Sequence, residues 1–458
     1  MNDNASRIFA SGDVIQIARY LARDLDDSAK EEVLLSLKNR LLDASLGSEK
    51  EQFSWLKKLC CETPLIDTDL SADEVIRLFT LLLTRLYPKI HGHFSQNMRF
   101  TFLTDVELVI KQMPVFITLA QLQHNMLLRL QGIALSRLGY ELIFTKNHEA
   151  AREKLNAAQA IIESICLEEP DNTKFMQTLS SVYENLGILE QDVSFSNARE
   201  WFVKSNEIRK QLVGIEPENP HFIDMLSDSY IFMGDIEEMS ALDQSGHMSD
   251  EFYWKSYLLC KKLVAINPEN DEFHRSLSIA YERIGNRRIG TSPAKARQWF
   301  LKAYNIRKKQ FQYERDSRSK IDTFWVCCNK LGQVHSTMGN MQMACSWFQE
   351  GLELAERLYS MDQKNIRYNG MLAIACLRLA EEMEKNCQPN ARELFLRSQE
   401  ITDGWIREGL CSFDYYNLAI QALEGLERID SVVSIFGSTE KWSKRKEEIR
   451  IMLEELNG

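Results

Sequence analysis

The sequence predicts an all-α protein whose helical hairpins stack into a superhelical solenoid. Three observations carry this prediction. Gly and Pro are scarce, 20 and 9 of 458 residues, which suits long helices better than turn-rich sheets. Ala198-Arg199-Glu200-Trp201-Phe202-Val203-Lys204-Ser205, with Ile208-Arg209-Lys210, recurs as Ala296-Arg297-Gln298-Trp299-Phe300-Leu301-Lys302-Ala303, with Ile306-Arg307-Lys308. Self-similarity at a near-fixed spacing marks a repeat array. Finally, a helical stripe stands upstream of each copy: Leu179-Ser180, Tyr183 and Leu186-Gly187, then Leu226-Ser227, Tyr230 and Met233-Gly234, then Leu277-Ser278, Tyr281 and Ile284-Gly285.

The elements follow in chain order. Residues 1–120 lack the stripe and read as amphipathic helices near 13–25, 28–43, 50–61, 72–88 and 98–120, either a degenerate continuation of the array or, the favoured reading, a distinct helical module packed on it. Ser71-Ala72-Asp73-Glu74 resembles a capping box. Residues 121–412 form the array of about six hairpins. Its first stripe is Gln131-Gly132, Leu135 and Leu138-Gly139. Looser ones are Leu331-Gly332, His335 and Met338-Gly339, and Leu372-Ala373, Cys376 and Leu379-Ala380. Positions three and four apart share a helical face, so each stripe is an apolar seam. The small second residue lets a neighbouring helix approach. The glycine is expected to close the helix in the left-handed region. Ala-x-x-x-Phe then supplies a second helix. Glu169-Pro170-Asp171-Asn172, Glu216-Pro217-Glu218-Asn219 and Asn267-Pro268-Glu269-Asn270 punctuate the units: Pro stops one helix, and Asn or Asp caps the next. Residues 413–458 read as a last hairpin with a charged outer helix, the polar cap a repeat array needs.

This pattern resembles the tetratricopeptide repeat over roughly residues 124 to 410. It carries that family's small residue after the first Leu, its Tyr, its Gly, its Ala-x-x-x-Phe and its closing Pro. The resemblance implies a right-handed superhelical solenoid. The glycines at 139, 187, 234, 285 and 339 are spaced 48, 47, 51 and 54 residues, against about 34 in the family. The pattern is therefore similar to a long-period, bacterial-type variant that often adjoins signalling or caspase-like protease domains, and its second helix is expected to run about two turns longer.

Composition excludes several function classes. The formal net charge is −11, so global attraction to nucleic acid or an acidic membrane is not expected. Met1-Asn2-Asp3-Asn4 opens no signal peptide, and no apolar run reaches a membrane span. The ten cysteines form no C-x-x-C pair and mostly sit on apolar stripes. A cytoplasmic protein with reduced thiols follows. No phosphate loop, dinucleotide fingerprint, HExxH or nucleophile elbow is present. His91-Gly92-His93 is one close histidine pair without further ligands nearby. A caspase-like enzyme would need a sheet-borne Cys, whereas Cys327 to Cys411 fall on repeat helices. The sequence therefore predicts no enzyme, no metal and no cofactor. The pairs Trp201-Phe202, Trp299-Phe300 and Trp347-Phe348 read as core, because their phase puts Phe inside.

Partner binding is the expected function. By the family resemblance the first helices line a groove, and groove positions fall on Lys174, Gln177, Ser181, Glu184 and Asn185, then His221, Asp224, Asp228, Ile231 and Phe232. They continue with Glu272, Arg275, Ile279, Glu282 and Arg283, then Asn329, Gln333, Ser336 and Thr337. The family's carboxylate-gripping set is absent, with Asp224 and Asp228 where Asn or Lys would help. A mixed-charge groove suits a mixed-charge peptide or a folded protein partner. Charge is uneven: residues 275–320 hold thirteen Lys or Arg and three acids, while 234–251 hold six acids and no Lys or Arg. The sequence thus supports two readings. One is a scaffold or adaptor that binds a protein as a regulatory subunit. The other is an accessory subunit of a nucleic-acid-guided or signalling complex, of protease or defence type, that holds RNA, DNA or another anionic partner through Arg287, Arg288, Arg307, Lys308 and Lys309.

Overall fold

A computed structural model describes residues 96–457, apart from 117–120, 146, 192, 240–246, 364, 387–389, 409–412 and 434–437, together with six residues from Ile76 to Tyr87. The helices expected at 13–25, 28–43 and 50–61, most of 72–88, both histidines of His91-Gly92-His93, and Cys60, Cys61, Cys387 and Cys411 lie outside the described residues.

Among the described residues the protein is all helix: α1 Gln96–Phe116, α2 Gln121–Phe144, α3 His148–Glu168, α4 Thr173–Glu190, α5 Phe195–Ile215, α6 Pro220–Met239, α7 His247–Ile266, α8 Asp271–Asn286, α9 Pro293–Tyr313, α10 Arg318–Thr337, α11 Met341–Met361, α12 Ile366–Lys385, α13 Ala391–Arg407, α14 Phe413–Val433 and α15 Ser438–Asn457. Two compact units divide between Leu259 and Cys260. In the first, α2 packs on α3 and α4 on α5, and the first helices α2 and α4 touch directly. In the second, α8 packs on α9, α10 on α11, α12 on α13 and α14 on α15.

The helix starts follow the sequence. Asn172 Oδ1 accepts from the Lys174 amide, Asn219 Oδ1 from the His221 amide, and Asn270 Oδ1 from the Glu272 and Phe273 amides. Each cap satisfies a donor that the first turn leaves open. Pro170, Pro217 and Pro268 sit in the turns before them. The second helices are long as expected: α3, α5, α9 and α11 have 21 residues each.

The glycines do something other than expected. Gly187, Gly234 and Gly285 lie inside α4, α6 and α8, and among the described residues Gly339 is the glycine with positive φ, 73°. A Cβ at Gly187 would lie 2.6 Å from the Phe202 ring, at Gly234 2.4 Å from Tyr253, at Gly285 2.7 Å from Phe300 and at Gly332 2.4 Å from Phe348. These glycines are seats for an aromatic ring of the second helix. Phe202 and Phe300 are fully buried there, each burial being worth about 2–3 kcal/mol. The equivalent of Gly187 is therefore Gly332, not Gly339. Counted from the seats at 139, where Leu155 takes the place of the ring, 187, 234, 285 and 332, the period is 48, 47, 51 and 47 residues. The family's Leu-Gly pair is thus Leu186-Gly187, Met233-Gly234 and Ile284-Gly285, seven residues beyond the expected register. Seven residues is close to two turns, so the face assigned to the groove is unchanged.

Successive hairpins are linked by a recurrent pair 38 residues apart. Arg152 of α3 pairs with Glu190 of α4. Arg199 of α5 reaches Glu237 of α6 at 2.7 Å, and Arg392 of α13 reaches Asp430 of α14 at 2.7 Å. The carboxylates are buried and the arginines half-exposed.

Candidate interaction surfaces

The first-helix face is built separately in each unit. In the first unit Lys174 is exposed on the opening turn of α4, while Gln177, Ser181, Glu184 and Asn185 are half-buried along it. Asn185 Nδ2 donates to Ser136 Oγ of α2 at 2.9 Å, and Gln177 bonds His221 of α6. Arg129 of α2 donates to Thr178 Oγ1 at 2.9 Å. Side-chain bonds therefore link α2 to α4 and Gln177 of α4 to His221 of α6; Asp224 and Asp228 are half-buried on α6. Glu184 is drawn inward instead, 2.5 Å from the buried Arg209 of α5.

In the second unit Arg275 sits 2.8 Å from Glu272 on α8, and Arg283 and Asn329 are half-buried on α8 and α10. Ser336 of α10 donates to Glu382 of α12 at 2.5 Å, and Lys385 reaches the same carboxylate at 2.5 Å. Arg367 of α12 grips Asp322 of α10 through two bonds of 2.9 and 3.0 Å. The faces are thus polar, of mixed sign and laterally braced.

The basic segment is redistributed by the fold. Arg307 is buried, 3.7 Å from Glu282, whose carboxylate also accepts from Cys327 Sγ at 3.3 Å. Burial pushes the Cys327 thiol well above its usual range, so that proton stays on sulfur. Arg307 is therefore interior and leaves the expected anionic-partner patch. Its copy Arg209 is buried in the same way and donates to the Met225 carbonyl at 2.9 Å. Arg287 and Arg288 are half-buried at the C-terminal end of α8, where Arg288 bonds the Ile284 carbonyl at 3.1 Å, a favourable place for cations. Lys308 and Lys309 are exposed on α9, and Lys308 Nζ donates to Tyr304 Oη at 3.2 Å.

The tryptophans of the near-copies seal the hairpins from outside. Tyr183 and Trp201 meet at 5.4 Å with Lys204 4.2 Å over the indole. Tyr281 and Trp299 meet at 5.5 Å with Lys302 4.2 Å over it. Tyr230, Phe252 and Lys255 repeat the stack. Among the described residues, no group of three or more His, Cys, Asp and Glu is placed to hold a metal, and no helix is long and apolar enough to cross a membrane.

With this geometry in hand, the comparisons bear on the fold. Residues 327–357 match the family model described as tetratricopeptide repeat. They include Gly332 and Phe348, one ring and its seat. The apo form of the quorum sensor NprR from B. thuringiensis is similar in structure: 11% identity, TM-score 0.50, covering 92% of this chain and 99% of that one. A Rap protein complexed with competence and sporulation factor aligns at 12% identity and TM-score 0.49, covering 93% and 99%. TTC0263, a thermophilic TPR protein of Thermus thermophilus, aligns at 17% identity and TM-score 0.32, covering 54% and 99%. A search of curated proteins found no match. The chain therefore carries a tetratricopeptide repeat at residues 327–357, set in an all-helical array of long hairpins.

Proposed function

We propose that this protein is a non-enzymatic scaffold that binds a protein partner on its first-helix faces, as a regulatory or adaptor subunit in the cytoplasm. The observation that carries this reading is the lateral bracing of α2, α4 and α6 by Arg129–Thr178, Asn185–Ser136 and Gln177–His221. A face fixed in this way loses little entropy when a partner docks. Stacked hairpins are an architecture that offers extended binding surfaces, and the mixed charge of Lys174, Asp224 and Asp228, and of Arg275 and Arg283, selects a partner by complementarity. The six described cysteines are free thiols, in keeping with a reducing compartment.

The test is co-purification from native lysate on the immobilised chain. A partner that binds the wild type and is lost on Asp224→Lys with Arg275→Glu supports the reading. Undiminished capture by that double variant removes the first-helix faces as the contact. A second reading, contact with an anionic partner, is favoured by one observation on α9.

A further inference from the structure

Helix α9 carries a basic stripe that its sister helices lack. Lys295, Gln298, Lys302, Asn305, Lys309 and Gln312 are all exposed and alternate by three and four residues along one face. The 21 residues of α9 contain no Asp or Glu. The three lysines stand about 10.5 Å apart at 1.5 Å per residue. Superposing the Ala-x-x-x-Phe frames gives the same positions elsewhere in the chain. On α5 they are Asn197, Glu200, Lys204, Glu207, Gln211 and Gly214; on α11 they are Met343, Ser346, Glu350, Glu353, Arg357 and Ser360. Where α5 has Glu200 and Glu207, α9 has Gln298 and Asn305: the acids are replaced by amides of similar size, and lysines are added at both ends.

From this we infer that the outer face of α9 binds the sugar-phosphate backbone of single-stranded nucleic acid. The inference rests on the second reading above and gives it a site. Three features favour this occupant over an acidic protein. The stripe holds no apolar residue, whereas protein interfaces centre on apolar anchors and are depleted in Lys. Lys, Asn and Gln are side chains that contact phosphate oxygens. One turn beyond Lys309, the ring of Tyr313 is 73% exposed, a platform on which a base can stack. Lys302 is held over Trp299, which fixes the middle charge of the row.

The test is fluorescence anisotropy of the full chain with labelled oligo(dT), oligo(U) and a DNA duplex across a salt series. Three lysines on a single strand predict a slope of log K against log salt of about −2. The triple variant Lys295→Gln, Lys302→Gln, Lys309→Gln is expected to weaken binding at least about tenfold and flatten the slope. Gln298→Glu with Asn305→Glu, which restores the acids of α5, is expected to weaken it comparably. Tyr313→Ala is expected to weaken the single strands and leave the duplex unchanged. All these positions are exposed, so unchanged circular-dichroism melting certifies each variant as folded. Nucleic-acid binding that survives the triple variant with an unchanged slope overturns α9 as the site while keeping the anionic-partner reading. No binding by the wild type at low salt overturns both. Tight binding to poly-Glu with none to oligonucleotides assigns the face to an acidic protein and overturns the nucleic-acid proposal.

Discussion

Helices α5 and α9 are near-copies inside and opposites outside. Both bury Ala, Phe, a small residue and Arg at matching places: Ala198, Phe202, Ser205 and Arg209, and Ala296, Phe300, Ala303 and Arg307. Both carry a Trp sealed by Tyr and Lys. Their outer stripes differ by Glu200 and Glu207 against Gln298 and Asn305, and by Asn197 and Gln211 against Lys295 and Lys309. The inner pattern answers to hairpin packing, which every unit must satisfy. The outer pattern is free of that constraint, so divergence there reports on what each unit meets in solution.

The comparison breaks most readily at the buried arginines. Arg209 makes a 2.5 Å pair with Glu184 and a bond to the Met225 carbonyl, linking three helices. Arg307 makes one long pair of 3.7 Å. Arg209→Leu is expected to destabilise its unit by about 3 kcal/mol, since it strands a partly buried carboxylate, and Arg307→Leu by about half as much. Urea unfolding read by hydrogen exchange within each hairpin measures the difference, and equal losses would show that the two copies are not distinguished inside.

The ring seats come next. Gly187→Ala and Gly285→Ala place a methyl group 2.6 and 2.7 Å from a phenyl carbon, so each should cost about 1–3 kcal/mol. Gly214→Ala, with nothing within 4 Å of its Cβ, should be neutral or stabilise by up to about 1 kcal/mol. Denaturant midpoints of the three variants decide the matter.

The smallest effect concerns the 38-residue link. In α9 the arginine of that link, Arg297, faces His335 instead of a carboxylate. Arg297 Nε and His335 Nδ1 are both buried without hydrogen-bond partners. Burial, and then the Arg297 charge, holds the His335 pKa below its ordinary 6.5. The unfolded chain therefore binds this proton more readily than the folded one. The contribution is fully present above about pH 6.5 and is lost as pH falls through and below that value. His335→Glu should add about 1 kcal/mol near neutral pH by restoring the pair and should abolish this acid sensitivity. Melting temperatures of both proteins between pH 5 and pH 8 provide the check; parallel curves would exclude His335 as the source.

Hairpin alternation, the asparagine caps and the buried Phe positions were legible in the sequence because each leaves a local signature. The glycine role was not. A stripe that ends in Gly reads equally well as a helix end or as a ring seat, and the two readings differ by seven residues, which leaves the periodicity intact. Only Gly332 beside Gly339 separates them, since one takes Phe348 and the other has φ of 73°. Arg307 misled for another reason: arginine is seldom buried, and charge counting along the chain cannot see Glu282 waiting for it. The Lys295, Lys302 and Lys309 stripe was hidden among thirteen cations until the fold showed which face of α9 is outermost. The groove positions were assigned from the family's register alone, whereas that Gln177 and Asn185 serve as lateral braces required their partners on other helices.

The ring seats also explain which changes of length the chain tolerates. A helix resting on a glycine is gauged at one level, by the thickness of an aromatic ring, and is indifferent to residues added beyond that level. Four of the intervals between seats are 48, 47, 51 and 47 residues, and the long one contains Gly234 and Tyr253, 19 residues apart where Gly187 and Phe202, and Gly285 and Phe300, are 15 apart. Insertions are therefore absorbed at the turns, while a single methyl group at a seat is not. For evolution or for an engineer, the turns between paired helices are the ports at which new segments can be spliced in, and the seats are the dimensions that have to be copied unchanged.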